Sequence, residues 1–292
     1  MLKKSKIRIL VTVCLCAILS CSLSGCAGKK KKQEKKEDNT QKELVSPEDT
    51  SSNLGHWARA MGAVLIYMNE GNVYYFGGYE KTEGNQKAAA KILKESWNIT
   101  DRESLITTIN ELLQTGARTE YRKEAKELND MSAKKLRTAM KQLSGDMKTH
   151  YKMVQYNWKK WRTTGLLAWD MCRISHLAQW GYVADYLSLE EAQAVIEPAA
   201  VKLKSRFSSW DDVQMNWMDG YALYASIDAT KGGDNAYVDR VGAYATLKKS
   251  DSASSGEPVG QKKYLFDDNL FQQDIVPLSA VTAESVLGTQ KK

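Results

Sequence analysis

Asp170 and Arg173 are the residues whose types and spacing bear most directly on chemistry. They lie three apart in the run from Gly165 to Leu187, GLLAWDMCRISHLAQWGYVADYL. At 100° per residue both fall on the apolar stripe formed by Leu166, Trp169, Leu177, Trp180, Gly181 and Ala184. An acid and a base inside such a stripe allow two readings. In one, Asp170 is a general acid or base and Arg173 holds an anionic group, at the foot of a cleft lined by Trp169, Trp180, Trp210 and Trp217. In the other, the two charges form a buried pair that fixes helix packing, with Arg173 also bonding carbonyls of a neighbouring helix. The second is the stronger, because nothing else in the chain joins the pair in a reaction.

The sequence holds no HExxH, Walker A, GxSxG or paired CxxC, and no GxGxxG after a strand. His56, His150 and His176 are far apart and lack ligand spacing, so no metal site and no cofactor is expected. Cys172 reads as a small buried hydrophobe. Asp212, Asn216 and Asp219 form a side stripe on a late helix and read as solvent-exposed. The four tryptophans suit wide helix packing, and secondarily a groove for a glycan or peptide.

These residues need helices to position them. The run 165–187 is apolar on most sides, its clearly polar strip being only Thr164, Ser175 and Gln179, so it reads as a buried central helix. Earlier helices are expected at about 55–69, 86–96, 118–130, 133–144 and 147–163, with another between Thr100 and Gly116. A loop with a short hairpin is expected over 70–86. Thr100 with Glu103 and Ser188 with Glu191 have capping-box spacing, Ser132 and Ser209 read as further caps, and Gly116 reads as a helix stop. Pro198 interrupts a pattern that keeps helical phase, which predicts a kink and not an end. Beyond about 230 the periodicity weakens. Residues 250–261 read as flexible, and Tyr264 to Val276 as short strands or an extended strap.

The resulting fold expectation is mainly α: a multi-helix globular domain over 53–230 around the central helix, with a short irregular or β-like C-terminal strap in an extension over 231–292. About 240 residues are ample for an apolar core without disulfides.

The amino terminus carries an address. Lys3, Lys4, Lys6 and Arg8 open the chain, with an apolar run from Ile7 to Leu19 and then Leu23-Ser24-Gly25-Cys26. The run is too short for a stable membrane span. Its ending resembles the lipobox of bacterial lipoproteins. That resemblance implies removal of 1–25, a lipid on Cys26, and attachment to the extracytoplasmic face of a cell membrane. Residues 26–52 then read as a disordered Lys-rich tether.

The formal charge of +7 belongs to this address. Four cations and no acid lie in 1–28, and seven lysines face four acids in 29–43. That leaves 31 residues of each sign from 44 to 292. A domain with no net charge lacks the basic footprint of a nucleic-acid binder. Lys29, Lys30, Lys31 and Lys32 sit beside the expected anchor, where they could contact anionic lipid or cell-wall polymer.

Three segments together resemble one bacterial family, DUF1266, a domain of unknown function: SWNITDRESLITTINELLQTGAR, LLAWDMCRISHLAQWGYVADYLSLEEA and RFSSWDDVQMNWMDGYAL. The resemblance covers about 55–230 and implies a helical domain, with no activity and no catalytic residues attached. The functional expectation is a membrane-anchored binding or interaction module with a protein or glycan partner. The alternative is a cell-envelope enzyme, such as a hydrolase, using Asp170 with Arg173.

Overall fold

The computed structural model describes residues 53–253, 265–277 and 280–288. The expected signal segment, Cys26, Lys29 to Lys32 and the tether lie outside the described residues, as do 254–261 of the stretch read as flexible and Tyr264 of the expected strap.

The chain begins with α1 (Asn53–Met68), which buries Trp57, Met61 and Val64 along one face. The loop that follows contains no strand; its turns are closed by Asn72 N–H to the Gly78 carbonyl at 2.8 Å and Gly78 N–H to Tyr75 at 3.0 Å. Next come α2 (Glu83–Trp97), capped by Thr82, and α3 (Arg102–Gln114). The cap of α3 is Asp101 paired with Ser104, one residue later than the expected Thr100–Glu103 box. Thr100 instead hydrogen-bonds the Asp101 side chain at 3.0 Å. After α3 the chain turns at once into α4 (Gly116–Asn129), so Gly116 opens a helix as well as following one.

α5 (Ala133–Gln142) is capped by Ser132 and has no buried residue. α6 (Gly145–Trp161) ends in a 3-10 turn at Arg162–Thr164. The central helix α7 (Leu167–Val183) is followed by α8 (Leu189–Lys204), which has the expected Ser188–Glu191 capping box and runs through Pro198. α9 (Trp210–Tyr224) starts at the expected Ser209 cap.

The fold is mainly α, with no strand among the described residues. α7 packs against α1, α2, α3, α4, α8 and α9. Arg173 is its one residue outside the buried class. Even Ser175 and Gln179, the expected polar strip, are fully buried. Both donate to the Ala58 carbonyl of α1, at 2.8 and 2.9 Å, and the Gln179 carbonyl oxygen accepts Gly77 N–H at 3.0 Å. Their polarity thus satisfies main-chain groups inside the core.

The C-terminal part departs from expectation. α10 (Ala236–Ala253) is a long helix that buries Tyr237, Arg240, Tyr244 and Leu247 at helical spacing. Arg240 in that stripe hides the periodicity from a hydrophobicity count. Of the irregular or β-like strap expected over 264–276, 268–272 form a short helix, α11 (Asp268–Gln272), and 273–277 have no regular structure; a second short helix, α12 (Ala283–Leu287), lies beyond it. Between them Asn53 accepts Val276 N–H at 2.7 Å and donates to the Asp274 carbonyl at 2.6 Å, which holds this segment to the start of α1. Phe271 of α11 completes an aromatic cluster with Trp57 and Trp210, at ring distances of 4.8 and 5.2 Å.

Candidate functional site

α4 begins without help from its own sequence. Thr115 makes no side-chain cap, so the first amides of the helix need another acceptor. The carboxylate of Asp170, on α7, supplies it. Oδ1 accepts Ala117 N–H and Oδ2 accepts Arg118 N–H, both at 3.0 Å. A negative charge at a helix start is also favoured by the helix dipole. Arg118 Nη1 closes on Oδ2 at 2.8 Å, and Arg173 Nη2 closes on Oδ1 at 2.6 Å.

Asp170 is fully buried, and each of its oxygens holds two donors. Gly116 makes the approach possible: its φ is +56°, and a Cβ there would collide with the Asp170 carboxylate.

Arg118 plays the part expected of Arg173. Its guanidinium donates to the carbonyls of Leu112 and Leu113 at 2.6 and 2.7 Å, and so closes the end of α3. Arg173 instead bonds Trp169 of its own helix at 3.3 Å. It stacks against the rings of Trp169 and Trp97, at 4.7 and 5.5 Å. The expected acid–base pair is therefore two members of a three-charge cluster that joins α3, α4 and α7, and Asp170 is sealed from solvent.

The side stripe on α9 is buried, contrary to its expected exposure. Asn216 and Asp219 have no exposed surface, and Asp212 is partly exposed. Asn216 Oδ1 accepts Ala168 N–H at 2.8 Å and its Nδ2 donates to the Gly165 carbonyl at 2.7 Å. α9 thus caps α7 as α7 caps α4. Asp219 accepts from Lys160 at 2.7 Å, Trp161 Nε1 at 2.8 Å and the Tyr237 hydroxyl at 3.1 Å, tying α6 and α10 to α9.

The four tryptophans line no common cleft. Trp169 and Trp217 are 6.3 Å apart. His176 stacks on Trp180 at 6.1 Å and meets Trp217 edge-on at 5.9 Å. Trp210 belongs to the separate cluster with Trp57, 4.5 Å away. All four are under 10 % exposed. Burial holds the His176 imidazole neutral, its pKa pushed down to about 3, with the charges of Arg173 and Arg240 adding to the effect. Cys172 is buried and free, and its thiol is pushed up by desolvation, so it has no thiolate character.

Among the described residues, no group of three or more His, Cys, Asp or Glu is arranged to hold a metal, and no helix is long and apolar enough to cross a membrane.

A different place is open. Beside Arg118, between the start of α4, the 3-10 turn and the end of α8, lies a hollow of about 310 Å³. Arg122, Lys202 and Arg206 line it with Thr163, Thr164 and Ser205; Arg118 and Leu167 complete its wall. No carboxylate lines it. Lys202 Nζ donates to the Leu113 carbonyl at 2.9 Å. Desolvation and the Arg118 charge both lower its pKa, so the ammonium sits among like charge.

A family model described as "Protein of unknown function (DUF1266)" matches residues 92–255. The chain belongs to this family. No curated protein and no solved structure matches it. The DUF1266 match begins inside α2 and ends just past α10, so it starts later and runs further than the span of about 55–230 read from the motifs. Every residue of the Asp170 cluster, the Asp219 cluster and the hollow falls within it, whereas α1 lies outside.

In this DUF1266 chain, sequence reasoning found Asp170 and Arg173 but missed Arg118, Lys202 and Arg206. Arg118 lies 52 residues from Asp170. The local signal was a helix start at Gly116 with no capping side chain, which leaves amides in need of a distant acceptor.

Proposed function

We propose that this protein is a lipid-anchored module on the extracytoplasmic face of a cell membrane, and that its helical domain works by binding and not by catalysis. The observation that carries the second half is the state of the Asp170 carboxylate. It is buried and holds four donors, so neither oxygen is free to move a proton to or from a ligand. An acid–base role would require those donors to leave, and with them the start of α4 and the end of α3 to come apart. Solvent-facing donors are instead gathered at the cationic hollow.

The anchoring half rests on the order of basic, apolar and small residues before Cys26, followed by a Lys-rich segment. Two or more acyl chains make attachment stable, and the lysines add about 1 kcal/mol each near an anionic surface.

Cys26→Ser tests the anchor. The variant should lose labelling by a radioactive or clickable fatty acid and leave the membrane fraction. Unchanged processing with continued membrane retention overturns the proposal. For the domain, Asp170→Asn should lower stability; a stable variant that loses a hydrolytic activity of the purified protein would instead favour an enzyme.

A further inference from the structure

We propose that the hollow between α4, the 3-10 turn and α8 binds a phosphate-bearing ligand no larger than a sugar phosphate; this deepens the binding-module reading and rests on it. Charge sets this hollow apart. From residue 44 onward the chain is neutral overall, with 31 residues of each sign, so a local excess of one sign is a feature of the fold. Arg122, Lys202 and Arg206 line the same space, and none has a carboxylate within ion-pair distance among the described residues. Other cations joining separate elements do meet a carboxylate: Lys81 with Asp185, Arg102 with Glu191 and Lys248 with Asp211.

The three come from separate places in the chain. Arg122 is in the second turn of α4, Lys202 is in the last turn of α8, and Arg206 follows that helix. Their convergence depends on the Asp170–Arg118 cluster, which sets α4 against α7 and the end of α3. Arg118 itself is not free to bind: its guanidinium is spent on Asp170, Leu112 and Leu113. Its charge still reaches Lys202, whose ammonium is less favourable for it. An anion entering the hollow relieves that repulsion.

The donor set points to phosphate rather than to a lone carboxylate. Two arginine forks and an ammonium present more charge than one carboxylate can neutralise, while a phosphate monoester carries close to two negative charges at neutral pH. The Thr163 and Thr164 hydroxyls make no hydrogen bond within the described residues and add donors to the same wall. The size limits the rest of the ligand. About 310 Å³ is at the small end of ligand pockets, and Leu167 is the single aliphatic residue in the wall, so the attached body is small and polar.

The phosphate could belong to a soluble metabolite or to a lipid headgroup, and calorimetry and vesicle pelleting separate the two. The full chain, purified in detergent, is titrated with glucose 6-phosphate, inorganic phosphate and glucose; in parallel its Cys26→Ser form, which carries no lipid of its own, is pelleted without detergent with vesicles of phosphatidic acid, a phosphate monoester, or of phosphatidylcholine. The same is done with Arg122→Gln/Arg206→Gln, and with Arg206→Gln alone in case the double variant folds poorly. We expect saturable binding of glucose 6-phosphate, none of glucose, and a Kd at least about tenfold higher in the double variant at an unchanged unfolding midpoint. Binding confined to phosphatidic acid vesicles, and weakened by the same variants, also supports the site and assigns it to a headgroup. Wild-type affinity in the variants, or no binding of either phosphate source, overturns it. That failure leaves the Cys26 anchor untouched, and release of Cys26→Ser from membranes is scored separately.

Discussion

The Asp170 carboxylate accepts both the backbone N–H and the guanidinium of Arg118, at 3.0 and 2.8 Å, across 52 residues of chain. One side chain on α7 therefore starts α4, and through Arg118 it also finishes α3. Asp170→Asn removes the charge that balances Arg118 and Arg173, and its amide nitrogen cannot accept a donor. Breaking a buried pair from one side costs roughly 3–5 kcal/mol. Urea unfolding of the variant should show a loss of that size; a loss below about 1 kcal/mol would mean the cluster does not hold the three helices together.

Gly220 approaches Trp169 so closely that a Cβ would overlap the indole side chain. Gly220→Ala should destabilise the domain by about 1–3 kcal/mol through overpacking between α9 and α7, despite the better helix propensity of alanine. Near-ultraviolet circular dichroism of the folded variant should show a changed tryptophan environment. An unperturbed spectrum with wild-type stability would contradict the tight contact.

Asn216 both accepts from Ala168 and donates to Gly165, so its two functions can be separated. Asn216→Ala loses both and should cost about 1–3 kcal/mol. Asn216→Asp keeps the acceptor at the start of α7 and loses the donor. Thermal unfolding that ranks the aspartate no better than the alanine would show that the helix-start bond contributes little.

Two buried imidazoles set an acid limit. Desolvation lowers His56 to about 4 and His176 to about 3, against an ordinary value of 6.5. Both are neutral in the fold. Below about pH 6.5 the unfolded chain binds protons that the native state does not, so stability is fully present above that pH. It is then lost as pH falls towards the two folded-state values. The slope approaches roughly 1.4 kcal/mol per pH unit for each histidine. Denaturant midpoints at pH 7.5, 6 and 5 measure it, and a flat profile over that range would contradict the burial of the pair.

Cys172 has no exposed surface and its thiol is pushed up by burial. Alkylation followed by mass spectrometry should leave Cys172 unmodified in the native protein and modify it fully in denaturant. Rapid native labelling would show that α7 opens on the time scale of the reaction.

The helical class was legible because it is written in neighbouring residues. Apolar spacing of three and four marks α1, α3 and α7, and Ser132, Ser188 and Ser209 cap the helices they precede. α10 was not legible, since Arg240 occupies a core-facing position and covers the ring of Tyr221 at 3.5 Å, which a hydrophobicity pattern scores as an interruption. The exposed reading of Asn216 and Asp219 failed for the same reason: a polar side chain buried by a partner from another helix looks, in sequence, like one that faces water.

The sequence by itself determined the family, the neutral balance of the domain, the basic character of the chain before it, and the presence of one acid and one base on an apolar helix face. Only the tertiary structure decided what that acid does. Asp170 is a cap for a helix in another part of the chain, and its main partner is Arg118 as much as Arg173. The physical reason is that helices form from contacts three and four residues apart, whereas the neutralisation of a buried charge depends on whatever donors packing brings within about 3 Å, at any distance along the chain. The same packing brings Arg122, Lys202 and Arg206 to one hollow, which no spacing rule in the sequence connects.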